Sequence, residues 1–569
     1  MLRCAKVTLK QPAAKNTAVH RISGSSAVIL LLLTLVSFVR VLPTYTIFSG
    51  TYDEPFQIAA GMEWLDKGAY TYELVHPPLA RVAVALGPYL SGLHWPGSPV
   101  TYQDWRGEGN VILSGGGNYV RNLTLARIGI LPFLALACVV VFLWAHRWFG
   151  RNAAVFALLL LVCLPPLLGQ AGLATTDMPV AATIAAGLYL FVRWLEQPDW
   201  VRTVLLGVAF GAAMATKFTA IAFLLPCIGA AAVYRAIVNR PFLFARLLLW
   251  KPHLFRFTLA MLVALFFIWG SYRFGVRPIS PQQGIHHRID TWMNDSWLRR
   301  AAYRVVETPL PLIDFYEGVR AQTVRTYREF GYDSYLLGEY RNNGWWYFFL
   351  VVLAVKTPIG FLILSVGGIA VAFMTTNGGS WQRRLTAIFP IVILLVCLQS
   401  TIDSGVRHIL PIYPPLAILG GYGAARLVEG RRRWMPVVGL LLVVWVAADS
   451  LVAHPDYMAY FNPIASAHPE NVLCESDLDW GQDLFRLAAR LRSLGVTRVT
   501  MKYFGTAPLE QVGLPAHEEL SPITPASGYV AVSVHYLGLE YAKDGSYGWL
   551  KRYQPIERVG RSIFLYSLP

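Results

Sequence analysis

The sequence predicts an α-helical polytopic membrane protein with about eleven transmembrane helices and a small C-terminal α/β domain outside the bilayer. Three observations carry that prediction. Hydrophobic residues make up 55% of the 569-residue chain and charged residues only 14%, too few to cover a water-facing surface when soluble domains use roughly 25%. Eleven apolar runs approach the ~20 residues that cross a bilayer: 27–46, 125–146, 153–171, 179–195, 202–217, 218–235, 257–275, 345–374, 386–401, 409–428 and 434–452. Beyond 452 these runs stop, and strand-like segments alternate with a helix-like one.

The leader, 1–26, carries Arg3, Lys6, Lys10, Lys15 and Arg21 and no acid. No small-residue cleavage site follows, and the first run continues through Leu42 and Pro43, which reads as an anchor and not a cleaved signal peptide. Further basic clusters stand at His146-Arg147 with Arg151, from Arg235 to Arg256, at Arg383-Arg384 and at Arg431-Arg432-Arg433. Lys and Arg collect in cytoplasmic loops, so these loops mark the cytoplasmic face of a plasma (inner) membrane protein. Eleven passes then place the N-terminus inside and the C-terminus outside.

The first outer loop, 47–124, has the opposite bias, with Asp53, Glu54, Glu63, Asp66, Glu73, Asp104 and Glu108 against Lys67, Arg81, Arg106 and Arg121. The net charge of +16 is therefore mostly a topology signal, and it gives nucleic-acid binding no support. The membrane domain, 27–452, has a second outer loop at 276–344. In the outer domain, 453–569, strands are expected at 498–503, 529–534 and 562–566 and a helix at 480–494. Four of the six cysteines lie inside apolar runs, Cys4 lies in the leader and Cys474 in the tail. That distribution builds neither a disulfide framework nor a Cys-based zinc site.

Ionisable residues that could carry chemistry concentrate at outer helix ends. Asp53-Glu54 follow the first run, Asp177 lies in the turn 174–179, Lys217 between the fifth and sixth runs, and Arg407-His408 in the turn 402–408. A transporter would hold such groups near the bilayer midplane. Carboxylates and cations from four turns at one interface suit a substrate with a lipid tail in the bilayer and a charged head above it. A phosphate head needs fixed cations, which Arg407, Lys217 and Lys356 could supply. An attacking hydroxyl or amine needs a carboxylate to take its proton, either Asp53 or Glu54. A phosphate leaving group neutralised by cations needs no acid, unlike glycoside hydrolysis.

The same residues admit structural readings. Asp53-Glu54 would be an exposed helix end before Pro55, Asp177 an N-cap ahead of Pro179, and His76 a loop brace. Lys217 and Lys356 would snorkel to the interface, with Lys356-Thr357-Pro358 marking only a helix break. Arg407 would pair with Asp403. His286-His287 point apart as neighbours and complete no metal set. Trp345-Trp346-Tyr347-Phe348 read as an aromatic belt, and the sequon Asn122-Leu123-Thr124 abuts the second run.

Thr51-Tyr52-Asp53-Glu54 after the first helix, followed by Val75-His76-Pro77-Pro78-Leu79-Ala80-Arg81, resembles the Asp-Glu and His-Pro-Pro-Leu motifs in the first outer loop of protein O-mannosyltransferases. These are integral-membrane C-type glycosyltransferases, as are the bacterial lipid A aminoarabinose transferases. Thr175-Thr176-Asp177-Met178-Pro179, the run from Leu337-Gly338-Glu339 to Lys356-Thr357-Pro358, and Arg407-His408-Ile409-Leu410-Pro411 resemble bacterial members. The tail's Ser476-Asp477-Leu478-Asp479-Trp480-Gly481-Gln482-Asp483 resembles a subset of them. Arg81 departs from the Gly-Lys usual after His-Pro-Pro-Leu, and the β-trefoil inserts of eukaryotic mannosyltransferases have no counterpart.

The resemblance implies the C-type glycosyltransferase fold and an inverting transfer from a polyprenyl-phosphate sugar to a lipid, glycan or protein acceptor at the outer face. It makes Asp53 the base and gives Asp177 a part in binding the acceptor or a cation. The expected site is thus Asp53, Glu54 and Asp177 for catalysis, Lys217, Arg407, His408 and Lys356 for the donor phosphate, and His76 with Arg81 supporting the loop or acceptor. No cofactor is assigned; a divalent cation, if used, would sit on Asp53 and Asp177. A transporter or flippase of polyprenyl-linked sugars remains the alternative; its signature would be paired broken helices or charged residues at midplane depth, and neither stands out in the sequence. In another, the outer tail does the work on a membrane scaffold.

Overall fold

The computed structural model describes residues 23–97, 105–238, 251–279, 285–293, 297–327, 333–375 and 380–569. The basic residues of the leader, most of the basic stretch 235–256 and the His286 side chain lie outside them. Each of the eleven apolar runs falls on helix, but the runs are not equivalent. Among the described residues seven helices are long and apolar enough to cross a membrane: Gly24–Ile47, Tyr119–Trp148, Asp177–Glu196, Thr219–Val238, His253–Ser271, Ser380–Cys397 and Trp434–Val452. Two further runs are bent pairs, Arg151–Leu161 with Pro165–Ala171 (62°) and Phe348–Lys356 with Ile359–Met374 (114°), which makes up to nine spans. The remaining two, Trp200–Thr216 and Tyr413–Val428, are helices of 17 and 16 residues.

Both bends have a local cause. Leu164 (ψ 109°) precedes Pro165-Pro166 and Thr357 (φ −111°, ψ 135°) precedes Pro358; proline pushes the residue before it out of helical geometry and removes a donor. Within a bilayer the freed carbonyls need partners. Arg40 donates to Val162 O at 3.0 Å. At the second bend the tail residue Asn462 donates from its side chain to Thr357 O at 2.8 Å and to Ala354 O, and from its backbone to Val355 O at 2.9 Å. Tyr413–Val428 is buried along most of its length. Gly421 lets it meet the Ala157 backbone and Gly423 the Leu364 carbonyl at distances a Cβ would block, the small-residue packing that holds helices together where lipid removes the hydrophobic drive.

The bundle has two poles. At one, Glu196 collects Arg147 (2.6 Å), Trp148 Nε1 (2.6 Å) and Gln382 Nε2 (2.8 Å). The other carries the helices of segment 47–124, Glu54–Lys67, Pro78–Leu90 and Trp105–Ser114, and those of segment 276–344, Ile285–Trp292, Trp297–Glu307 and Ile313–Tyr327.

The tail forms a mixed five-stranded sheet from β1 (Arg498–Lys502), β2 (Ala516–Glu519), β3 (Gly528–Ser533), β4 (Glu557–Val559) and β5 (Ile563–Leu568), in the order β2-β1-β3-β5-β4. β1 runs parallel to β2 and β3, while β5 is antiparallel to β3 and β4. The helix expected at 480–494 is confined to Leu484–Ser493. Residues 480–483 form a turn that leaves the sheet domain and enters the bundle's pole.

Candidate active site

Asp53 sits at the N-cap position of Glu54–Lys67 but makes no capping hydrogen bond. Its Oδ2 instead accepts from Arg407 NH1 at 2.6 Å. Asp177 begins its helix, where Thr176 holds the N-cap position, and its Oδ1 accepts from Lys217 Nζ at 2.6 Å. Lys217 ends Trp200–Thr216 in extended geometry (φ −158°) and is 8% exposed, so it turns inward and does not snorkel. Arg407 also donates to the Ser404 hydroxyl at 3.0 Å and lies 4.4 Å from the centroid of the Trp480 ring. Asp403 Oδ2 accepts the Trp345 N–H at 2.7 Å.

Arg407 acts electrostatically on Asp177 and on His408, and His76 acts on Asp177. Six expected site residues, Asp53, Asp177, Lys217, Arg407, His408 and His76, therefore share one electrostatic neighbourhood. Burial, followed by the charges of Lys217 and Arg407, pushes the His408 imidazole well below its usual range, so it is neutral at ordinary pH. The His76 ring stacks on Phe56 with centroids 6.4 Å apart.

The other three expected residues are held differently. Glu54 is fully buried and forms a two-point pair with Arg127 at 2.8 Å on each side, and it also accepts Thr51 N at 2.8 Å and Ala174 N at 2.7 Å. Burial pushes its carboxyl up, but Arg127 and these donors prevail and hold it below the usual range. Lys356 is buried at the 114° bend, where Nζ donates to Met458 O (2.8 Å) and Asp477 O (2.6 Å) and lies 4.1 Å from the Phe461 ring centroid. Arg81, also fully buried, donates to Gln57 Oε1 (2.7 Å), Tyr70 OH (2.8 Å) and Glu73, which ties the 70–76 segment to its own helix.

The tail contributes more than its motif suggested. Asp477 Oδ1 accepts Val406 N at 2.9 Å, Ser476 Oγ donates to Ser404 O at 2.7 Å, and Trp480 O and Gln482 O accept Tyr52 N and Ser49 N at 3.0 Å each. Residues 476–482 thus bridge the turn that bears Asp53 to the turn that bears Arg407. Gly405 permits this approach, because at φ 89° a Cβ would run into the Asp477 carboxylate. A second link is a parallel stack of Tyr52 on Phe504 (5.1 Å) and Phe504 on His535 (3.8 Å). Burial pushes Asp403 and Asp479 up to about 7, raises Asp477, and lowers His535 to about 4.

Arg127 had a signal in the sequence, an ionisable residue inside an apolar run. Asp477 and Trp480 had none beyond their motif, because their roles depend on where the tail folds back. Among the described residues no group of three or more His, Cys, Asp or Glu is placed to hold a metal ion, and Asp53 and Asp177 each engage a cationic side chain.

Residues 121–269 match the family model described as dolichyl-phosphate-mannose-protein mannosyltransferase, a segment that contains Arg127, Asp177 and Lys217. The match agrees with the resemblance read from the motifs. No curated protein sequence matches the chain. Among solved structures, ArnT from Cupriavidus metallidurans bound to undecaprenyl phosphate is similar over 95% of this chain and 98% of its own, at 15% identity and a TM-score of 0.48. The oligosaccharyltransferase AglB from Archaeoglobus fulgidus, in complex with an inhibitory peptide and a dolichol-phosphate, is similar over 95% of this chain and 74% of its own (12%, 0.47). The Pmt1-Pmt2 protein O-mannosyltransferase complex of S. cerevisiae, bound to the sugar donor, is similar over 44% and 33% (15%, 0.31).

Proposed function

We propose that this membrane protein is an inverting glycosyltransferase that moves a sugar from a polyprenyl-phosphate donor to a lipid, glycan or protein acceptor. The observation that carries the reading is the meeting of two acid–cation pairs, Asp53–Arg407 and Asp177–Lys217, from four separate turns at one pole of an apolar bundle. The ordered motifs and the family match over 121–269 support it. By the distribution of Lys and Arg this pole faces outward, with the N-terminus cytoplasmic.

In the reaction an acceptor oxygen or nitrogen forms a bond to the anomeric carbon as the bond from that carbon to the phosphate oxygen breaks. Asp53 takes the acceptor's proton, and polyprenyl phosphate leaves with the bonding electron pair. A donor phosphate would compete with Asp53 for Arg407, freeing the carboxylate for its role as base. Arg407 and Lys217 then hold the leaving phosphate, neutral His408 adds a hydrogen bond, and Asp177 orients Lys217 and the acceptor. Glu54 acts as a brace through Arg127, and Lys356 as a brace for the tail.

A second reading, movement of a polyprenyl-linked sugar across the bilayer, draws on the two bent helices. Arg40 and Asn462 satisfy carbonyls freed at those bends, which favours fixed structure over a moving gate. Mass spectrometry of envelope glycolipids and glycoproteins from a deletion strain tests the proposal. One sugar should be missing from an acceptor; an unchanged envelope refutes the transferase, and accumulation of the polyprenyl-linked sugar on the cytoplasmic side favours movement.

A further inference from the structure

At the pole opposite Asp53, a cavity of about 310 Å³ opens among three helix ends, at the small end of the ~300–1,000 Å³ typical of ligand clefts. Arg147 enters from the end of Leu131–Trp148, Arg383 from the start of Ser380–Cys397 and Arg426 from the end of Tyr413–Val428. Trp148, Phe149 and Tyr422 form apolar walls, with Phe149 and Tyr422 packed edge to face at 5.0 Å.

The charge in this cavity is not balanced. Arg147 is paired with Glu196 at 2.6 Å, while Glu429, the acid of the lining, accepts from Asn152 at 2.7 Å. Arg383 donates to the Trp148 carbonyl at 3.0 Å, and among the described residues Arg426 makes no ion pair. The lining thus carries three guanidiniums and His146 against one carboxylate, Glu429, with Glu196 reaching Arg147 from outside it, a positive bias that a phosphodiester anion suits. Helix dipoles account for Arg147 and Arg426, which lie at C-terminal ends, but not for Arg383, which lies in a first turn where the dipole opposes a cation. The bias of Lys and Arg toward one face accounts for charge at this pole, but not for its convergence from three helices on one aromatic-walled cavity.

We propose that this cavity binds the phosphate head of an anionic membrane phospholipid. Guanidiniums suit phosphate oxygens by their forked donors, and basic pockets between membrane helices are known to take such heads. The inference rests on the membrane fold and not on sugar transfer, so either can fail without the other.

The full-length protein is delipidated and placed in nanodiscs of phosphatidylcholine with and without phosphatidylglycerol, and retained lipid is counted by native mass spectrometry. Wild type should retain phosphatidylglycerol over phosphatidylcholine, and Arg383→Gln/Arg426→Gln should lose that preference by about tenfold or more, a difference of ~1.4 kcal/mol. Arg426→Gln alone, at an exposed side chain, keeps the test valid should the double variant misfold, and should weaken retention severalfold. Arg431→Gln/Arg432→Gln, outside the cavity, should leave retention unchanged. Equal retention by wild type and both cavity variants overturns the proposal, as does an equal loss in the control pair. Inorganic phosphate is the second probe. Thermal stabilisation by phosphate alone that Arg426→Gln removes, without any preference for phosphatidylglycerol, overturns the lipid and assigns a soluble phosphate ligand.

Discussion

Asp53 and Glu54 are adjacent carboxylates with opposite environments, and the difference lies in their cationic partners. Arg407 meets Asp53 at a part-exposed position, whereas Arg127 locks Glu54 out of contact with solvent. Removing one partner of a buried pair leaves the other charge uncompensated, so Glu54→Ala should destabilise the fold by about 3–5 kcal/mol, read as a fall in the thermal unfolding midpoint. The acid pair was legible in the sequence. The resemblance singled out Asp53 within it, but the burial of Glu54 was not legible, because that depends on an arginine 73 positions away inside an apolar run. His535 yields a pH prediction. Its folded pKa of about 4 lies below the usual 6.5, so the folded chain refuses a proton that the unfolded chain accepts. The stability this contributes is complete above about 6.5 and is lost as pH falls toward about 4. His535→Phe, which keeps the stack on Phe504, should shrink the drop in unfolding midpoint between pH 7 and pH 4.5; an unchanged drop would contradict the burial argument.

Among the elements, prolines announced the bends, since Pro165-Pro166 and Thr357-Pro358 both break long apolar runs. The apolar pattern alone made each run look like one span, because hydropathy does not record what satisfies a freed carbonyl. At the second bend the partner is Asn462, from the tail. Asn462→Ala should cost about 1–3 kcal/mol by leaving buried carbonyls unpaired. It should also reduce transfer, since Lys356 and the tail segment it holds lie at the same bend. The segment 476–482 is a bridge whose motif was legible but whose destination was not. Trp480→Ala removes the ring under Arg407 and should lower kcat with the protein still folded, checked by activity alongside circular dichroism.

At the scale of the molecule, the membrane helices and the tail are one construction, in which the bundle supplies the charged side chains and the tail sets the spacing of the turns that bear Asp53 and Arg407. Residues 1–452 alone should therefore show no transfer and reduced stability, because truncation strips the partners of Lys356, Val406 and Tyr52 together. Full activity in that truncation would show the tail to be an accessory. The apolar runs located the helices but not the spans, since eleven were expected where, among the described residues, seven helices, or up to nine with the bent pairs, are long and apolar enough to cross. The gathering of acids and cations at the helix ends of one pole was readable from where the scarce charges fall. The fold-back of the tail was not, since contacts between residues some 430 positions apart leave no periodic trace. The central claim is that Asp53 takes the acceptor's proton, and complementation of a deletion strain tests it most directly. Wild type should restore the missing envelope sugar, while Asp53→Asn, produced at equal level and folded, should leave it missing, with transfer reduced by about 10²–10⁴-fold. Restoration by Asp53→Asn to the wild-type level would contradict the account.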